Sequence, residues 1–157
     1  TTLIFSAHGL PENKIKKGDP YQWQVEKTVN ELVKKLSINK LNYILSYQSR
    51  VGPLKWIGPS TDTVIKEEAQ KNKIIIVVPV AFVSEHSETL VELDIEYKKL
   101  ANENGSKDYL RVPAVTTNSD FINSLKSSII EASNGNRFTS SIKCPEKYKK
   151  CPRQQNT

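Results

Sequence analysis

Residues 74–83 read I-I-I-V-V-P-V-A-F-V, and this apolar run decides the predicted fold. The run is continuous rather than alternating, which is typical of a strand that is buried on both faces, as in a parallel sheet. Shorter apolar runs at residues 2–7, 44–47 and 109–112 are predicted as three further strands.

Helical patterns lie between and after these strands. The predicted helices cover residues 19–36, 60–71, 84–104 and 119–132. Strands that alternate with helices form βαβ units. The predicted fold class is therefore α/β, a Rossmann-like open parallel sheet flanked by helices. We predict a domain of residues 1–133, followed by a poorly ordered, Lys-rich tail of residues 134–157.

Composition excludes several classes of protein. The 157 residues suffice for one domain with a real core, and 25% charged with 8% aromatic residues is typical of a globular chain. No apolar run approaches the ~18 residues of a membrane span, and no signal-peptide pattern is present. The net charge is +6, but the lysines are spread out without a nucleic-acid-binding motif, so we expect no nucleic-acid partner.

An acidic stretch follows the third predicted strand. Residues 84–98 read S-E-H-S-E-T-L-V-E-L-D-I-E-Y-K, and Glu88, Glu92 and Glu96 recur every four residues on one helical face. Like charges at this spacing destabilise a helix by roughly 0.2–0.5 kcal/mol per pair. Two interpretations stay open. The face is simply solvated, as charge runs usually are, or it binds a hard cation or relays protons.

Three residues that can carry chemistry follow strand ends, where open α/β sheets bind their ligands. His8 follows the first predicted strand, Trp56 lies in a Pro/Gly-bounded loop after the second, and His86 follows the third. Each has a plain structural alternative, namely a hydrogen-bonded loop histidine, a packed aromatic side chain and a helix-terminal residue. Because both histidines of the chain lie at the same edge of the sheet, we favour a site there.

Five motifs make the chain resemble the ferrochelatase family, in its carboxyl-terminal half. They are S-A-H-G-L-P at 6–11, G-D-P-Y at 18–21, Y-Q-S-R-V-G-P at 47–53, W-I-G-P-S-T-D at 56–62 and S-E-H-S-E-T-L-V-E-L-D-I-E-Y at 84–97. The resemblance implies the second of two similar Rossmann-like lobes, with porphyrin held between them. It also implies insertion of ferrous iron into protoporphyrin IX to form protoheme, the last step of heme biosynthesis. Iron is then a substrate, and no soluble cofactor is consumed.

The resemblance also assigns roles to individual residues. His8 and Glu88 are implied as the catalytic pair, with His8 as pyrrole proton acceptor or iron ligand. The implied metal-binding residues are His8, Glu88, Glu92 and Glu96. Trp56 is implied at the porphyrin, and Glu85 and His86 are implied as supporting polar residues. The acidic helix is expected to contain a π-type turn.

Several expectations concern parts of the family that this chain lacks. The other lobe is absent, and in the family it supplies much of the porphyrin pocket and the lip that meets the membrane. We therefore expect a piece of a longer, cytoplasmic protein that contacts the membrane peripherally. Some members bind a [2Fe–2S] cluster through four cysteines, whereas this chain has only Cys144 and Cys151, so no cluster is expected.

Two other functions stay open. The chain could belong to a chelatase for another tetrapyrrole, such as coproporphyrin or sirohydrochlorin. Alternatively, it could be a heme- or metal-binding module without turnover. The joint presence of His8, Glu88, Glu92 and Glu96 favours an enzyme over a binding module.

Overall fold

A computed structural model describes residues 1–135 and 143–152 of the chain. These residues contain a four-stranded sheet in the order β2-β1-β3-β4, and every neighbouring pair of strands is parallel. The strands are β1 (Thr2–His8), β2 (Tyr43–Gln48), β3 (Ile74–Pro79) and β4 (Asp108–Arg111). The predicted α/β class with an open parallel sheet is confirmed.

Helices connect and flank these strands. They are α1 (Glu12–Lys16), α2 (Tyr21–Leu36), α3 (Thr61–Ala69), α4 (Ser87–Leu90), a π turn (Glu92–Glu96), α5 (Tyr97–Glu103) and α6 (Ser119–Ser133). Among the described residues, none of the helices has the length and apolar character that crossing a membrane requires.

The third strand is shorter than predicted. The apolar run continues to residue 83, but β3 ends at Pro79. Proline lacks a backbone N–H, so it cannot donate to the ladder. The chain turns directly afterwards, where the Val80 N–H bonds to the Val78 carbonyl and Ala81 takes a φ of 70°. The remaining apolar residues therefore belong to the loop that leads into the acidic segment.

Each face of the sheet has its own apolar core. On one face, Ile4, Ile75 and Val77 pack against α3 and α5. This cluster includes Ile65 of α3 and Leu93 of the π turn. On the opposite face, a second cluster joins residues of β1 to α2. Part of that second face is open, because an apolar cleft of ≈ 430 Å³ lies between α2 and the sheet. On β3, Ile75 and Val77 are buried on one face, while Ile76 and Val78 are half-buried at this cleft on the other. Both faces of the strand are therefore apolar, which is why the strand signal is continuous rather than alternating.

Residues 143–152 lie against the beginning of α2. The Lys150 N–H bonds to the Gly18 carbonyl at 3.1 Å, and the buried residues Cys144, Tyr148 and Cys151 pack with Trp23. Residues 136–142 and 153–157 lie outside the described residues. The predicted domain boundary and the predicted order of the tail therefore stay predictions.

Candidate active site

The parallel register brings the carboxyl ends of β1 and β2 together. His8, the last residue of β1, pairs with Gln48, the last residue of β2. The loop after β3 leads into α4 at the same edge, because His8 and Glu88 are in contact there. This is the edge at which the sequence predicts a site.

His8 and Glu88 form the centre of this edge. His8 Nδ1 lies 2.7 Å from the Gly9 carbonyl oxygen, and since a carbonyl can only accept, Nδ1 carries the hydrogen. His8 Nε2 lies 3.2 Å from Glu88 Oε1, with the two side chains 41% and 36% exposed. Two acceptors at that distance repel one another unless a proton or a cation lies between them. Side chains in this arrangement can share a proton or hold a cation, and solvent reaches them.

Both carboxylate oxygens of Glu92 are fully used as hydrogen-bond acceptors. Its Oε1 accepts from the Ser49 N–H at 2.8 Å and from the Tyr97 hydroxyl at 2.8 Å. Its Oε2 accepts from Gln48 Nε2 at 2.9 Å and from the Ser49 hydroxyl at 2.6 Å. An ionised carboxylate has about four lone-pair positions. All of them are occupied, so the predicted metal-binding residue Glu92 is held firmly in the protein.

A buried polar chain lies behind the pair. Gln48, 1% exposed, donates from Nε2 to the Glu88 backbone carbonyl at 2.8 Å. Its Oε1 accepts from the Ser6 hydroxyl, which lies 2.9 Å from the hydroxyl of Thr61 at the start of α3. Buried polar groups of this kind are satisfied by one another. This row of hydrogen bonds ties the backbone at Glu88 to β1, β2 and α3.

An open cleft runs along the acidic segment. It measures ≈ 470 Å³ and is lined by Glu88, Glu92 and Glu96. Arg50, in the loop that follows β2, also lines it. Glu96 is exposed. Within residues 1–135 and 143–152, no three His, Cys, Asp or Glu side chains are grouped closely enough to hold a metal ion. The structure thus pairs His8 with Glu88, and it leaves Glu96 at the same cleft rather than in a closed cage.

The predicted supporting residues stabilise the start of the helical segment. His86 is the N-cap of α4, because its Nδ1 accepts from the Glu88 N–H at 3.2 Å. In return, the Thr89 hydroxyl accepts from the His86 N–H at 2.9 Å, which completes a capping box. Burial would raise the pKa of Glu85, but the nearby Thr89 hydroxyl, together with hydrogen bonds from Arg111 and the Ala114 N–H, outweighs burial and lowers the pKa to about 2.

The expected π turn is present at Glu92–Glu96. Its wider hydrogen bonds include that of the Glu96 N–H to the Val91 carbonyl, five residues earlier, at 3.0 Å. The single helix predicted over residues 84–104 is therefore three short pieces. The wider turn changes the direction of the side chains that follow, and it places the Tyr97 hydroxyl on Glu92.

Trp56 packs against Gly9, the residue that follows His8. Its loop is tied to the loop after β1, since the Ile57 N–H bonds to the Leu10 carbonyl at 3.0 Å. A Cβ atom on Gly9 would lie 3.0 Å from the Gln48 carbonyl oxygen and 3.3 Å from Trp56 Cε3. Glycine is thus needed for the indole to approach this closely. The ring also lines a polar cavity of ≈ 360 Å³.

Five residues at this edge were not singled out from the sequence. They are Tyr21, Gln48, Ser49, Tyr97 and Arg111. Tyr21 donates to the His8 carbonyl at 2.9 Å, and burial together with the charge of Glu88 raises its pKa to about 12. The run Y-Q-S-R at the end of β2 was the available signal for Gln48 and Ser49, because it places polar residues directly at a strand exit.

Comparisons with known proteins agree with the resemblance. The family model described as ferrochelatase matches residues 1–133. A ferrochelatase of Pelagibacter ubique is 60% identical over 154 residues, which is 96% of this chain and 45% of that protein. A ferrochelatase of Rickettsia typhi is 50% identical over 155 residues, which is 95% of this chain and 45% of that protein. The chain therefore spans slightly less than half the length of these curated relatives.

Proposed function

The chain belongs to the ferrochelatase family, and we propose that the complete protein inserts ferrous iron into protoporphyrin IX. The reaction forms protoheme and releases the two pyrrole protons as Fe²⁺ takes their place, with no change of oxidation state. One observation of this chain carries the proposal, namely the contact of 3.2 Å between His8 Nε2 and Glu88 Oε1 at the strand exits.

His8 supports proton removal through its ring orientation. The bond from Nδ1 to the Gly9 carbonyl leaves the lone pair of Nε2 directed toward Glu88 and the cleft. A pyrrole proton that reaches Nε2 produces an imidazolium, which the adjacent carboxylate stabilises by its opposite charge. The exposure of both side chains gives the proton a route to solvent.

The same two residues offer iron one nitrogen and one oxygen ligand. Carboxylate oxygens suit hard cations, whereas the porphyrin supplies softer nitrogen ligands that hold iron more firmly. Iron can therefore pass from Glu88 to the macrocycle. We propose that Glu92 and Glu96 extend the acidic path along the cleft, Glu92 as a fixed negative charge whose oxygens are hydrogen-bonded and Glu96 as an exposed oxygen ligand. We also propose that the Trp56 ring packs on the porphyrin.

Iron insertion by the complete protein tests this proposal. Wild type should convert Fe²⁺ and protoporphyrin IX to protoheme, and His8→Ala and Glu88→Gln should each lower kcat by about 10²–10⁴-fold, the usual contribution of a general acid or base. Glu103→Gln is a matched control, because Glu103 is an exposed carboxylate at the end of α5. Full activity in both site variants would remove these residues from the mechanism.

Parallel assays separate the alternatives. Faster turnover of coproporphyrin or sirohydrochlorin would identify a chelatase for another tetrapyrrole. Tight heme or metal binding without turnover, unaffected by loss of His8, would identify a binding module.

Cofactor content and location complete the proposal. We propose that the chain holds no iron–sulfur cluster, because a cluster takes four thiolates and this chain supplies two. Iron and acid-labile sulfide in the purified protein would show otherwise. A cytoplasmic site of action, with peripheral membrane contact through the other lobe, stays a prediction.

A further inference from the structure

We propose that Arg111 is a positioning residue for Glu88 and that it holds both ends of the segment that carries this carboxylate. Arg111 is the last residue of β4, and its side chain is 10% exposed. Its Nη1 donates to Glu85 Oε1 at 2.6 Å. Its Nε donates to Asp94 Oδ1 at 2.7 Å, and its Nη2 donates to Asp94 Oδ2. The inference rests on the proposed function.

The two carboxylates lie on either side of Glu88 along the chain. Glu85 precedes the N-cap of α4, and Asp94 lies within the π turn. Because α4 has only four residues, it cannot be stable by itself, and its position depends on tertiary contacts. A guanidinium that bonds a carboxylate through two parallel N–H groups fixes orientation as well as distance. Arg111 thus determines where Glu88 meets His8.

Arg111 also divides the acidic stretch into two classes of carboxylate. It forms ion pairs with both Glu85 and Asp94, while Glu88 and Glu96 face the open cleft. Without Arg111, like charges along one short helical segment would repel one another. We expect the segment to shift as the two carboxylates lose their shared partner, and Glu88 to shift with it.

Kinetics of the complete protein test this inference, with rates expressed per folded molecule as judged by circular dichroism. Arg111→Gln should lower kcat by about 10–100-fold, the usual effect of losing a group that orients a metal ligand. The KM for porphyrin should stay within about twofold. Arg111→Lys should have an intermediate kcat, because an ammonium ion can meet a carboxylate but lacks the planar fork.

Glu68→Gln is the matched control. Glu68 is a buried carboxylate with two lysine partners, and its bond to Thr2 places it at the amino end of β1, opposite the site. Its loss should lower stability and leave kcat per folded molecule unchanged. If Arg111→Gln does not fold, Asp94→Asn is tested instead. It disrupts the paired hydrogen bonds from Arg111 to residue 94 and keeps the bond from Arg111 to Glu85. We expect about tenfold lower kcat for Asp94→Asn.

The outcomes separate this inference from the proposed function. An inactive wild type refutes the proposed function. An active wild type with full kcat in Arg111→Gln, or in Asp94→Asn where Arg111→Gln is unfolded, refutes the positioning role alone. An equal loss of kcat in Glu68→Gln would also refute it, because general destabilisation would then explain the effect.

Discussion

The carboxylate of Glu92 accepts four hydrogen bonds, whereas that of Glu96 is exposed at the same cleft. The two residues look alike in the sequence, four positions apart on one acidic face. Their difference arises from what surrounds them, because Glu92 accepts hydrogen bonds from the end of β2 and from Tyr97, whereas the Glu96 side chain is exposed. Residue type alone therefore does not determine which carboxylate can bind an ion.

Glu92→Gln should destabilise the protein, because its amide group offers one acceptor and places a donor against existing donors. We expect a loss of about 1–3 kcal/mol in the free energy of unfolding, the cost of leaving buried donors without an acceptor. Glu96→Gln should change stability by less than about 0.5 kcal/mol, as at other exposed sites. Urea denaturation of both variants measures the difference, and equal stabilities would contradict the anchoring of Glu92.

Glu68 in α3 links that helix to the amino end of the sheet. Its side chain is 5% exposed, and it accepts from Lys71, Lys73 and Thr2 at 2.6 Å each. Burial alone would raise the pKa of Glu68, but these hydrogen bonds outweigh burial and lower the pKa from 4.5 to about 2. The helix is thus tied to the sheet by a carboxylate that stays ionised in acid.

This link should make stability depend on pH. Because the folded-state pKa of Glu68 lies below the unfolded value, its stabilisation is fully present above about pH 4.5 and is lost as the pH falls toward 2. The contribution is at most about 3 kcal/mol at neutral pH. Urea midpoints measured from pH 6 to pH 2 should fall less steeply in Glu68→Gln than in wild type. Parallel pH profiles would show that Glu68 has no such role.

Most elements could be predicted from the sequence because their patterns are local. Helix α2 has apolar residues at helical spacing, and β1 and β4 lie within one residue of their predicted bounds. Two features depended on details that periodicity does not show. Pro79 ended β3 early, and the five-residue helix α1 is too short to display a period.

The candidate site was predicted in part. The positions of polar residues after the strands predicted that a site lies at the carboxyl edge of the sheet. His8 and Glu88, which the resemblance pairs, are in contact at that edge. The role of Gln48 could not be predicted, because it depends on the register that places β2 beside β1. Nor does the sequence reveal that Arg111, at the end of β4, bonds to Glu85 and Asp94 at the two ends of the acidic segment.

For the whole molecule, the proposed function requires this chain to supply one side of a site. The cleft along the acidic segment is open, and the chain covers 45% of its Pelagibacter ubique relative. A porphyrin laid against Trp56 would have its other surface in water. Positioning of a substrate supplies a large part of catalysis, so we infer that the remaining part of the protein is needed to hold the macrocycle.

The 157-residue chain alone should therefore insert iron at less than about 1% of the rate of the complete protein, because positioning alone is worth several orders of magnitude. Protoheme formation measured for both proteins at equal concentration tests this expectation. Comparable rates would show that this lobe holds the porphyrin without help.

In the proposed mechanism His8 and Glu88 act as one unit, and a double-mutant cycle in the complete protein measures whether they do. His8→Ala, Glu88→Gln and the double variant should be compared by kcat for iron insertion into protoporphyrin IX. If the two residues share one proton or metal position, the double variant should lose no more activity than the more impaired single variant. Losses that multiply in the double variant would mean that the two side chains act independently, and would contradict a shared proton or metal position.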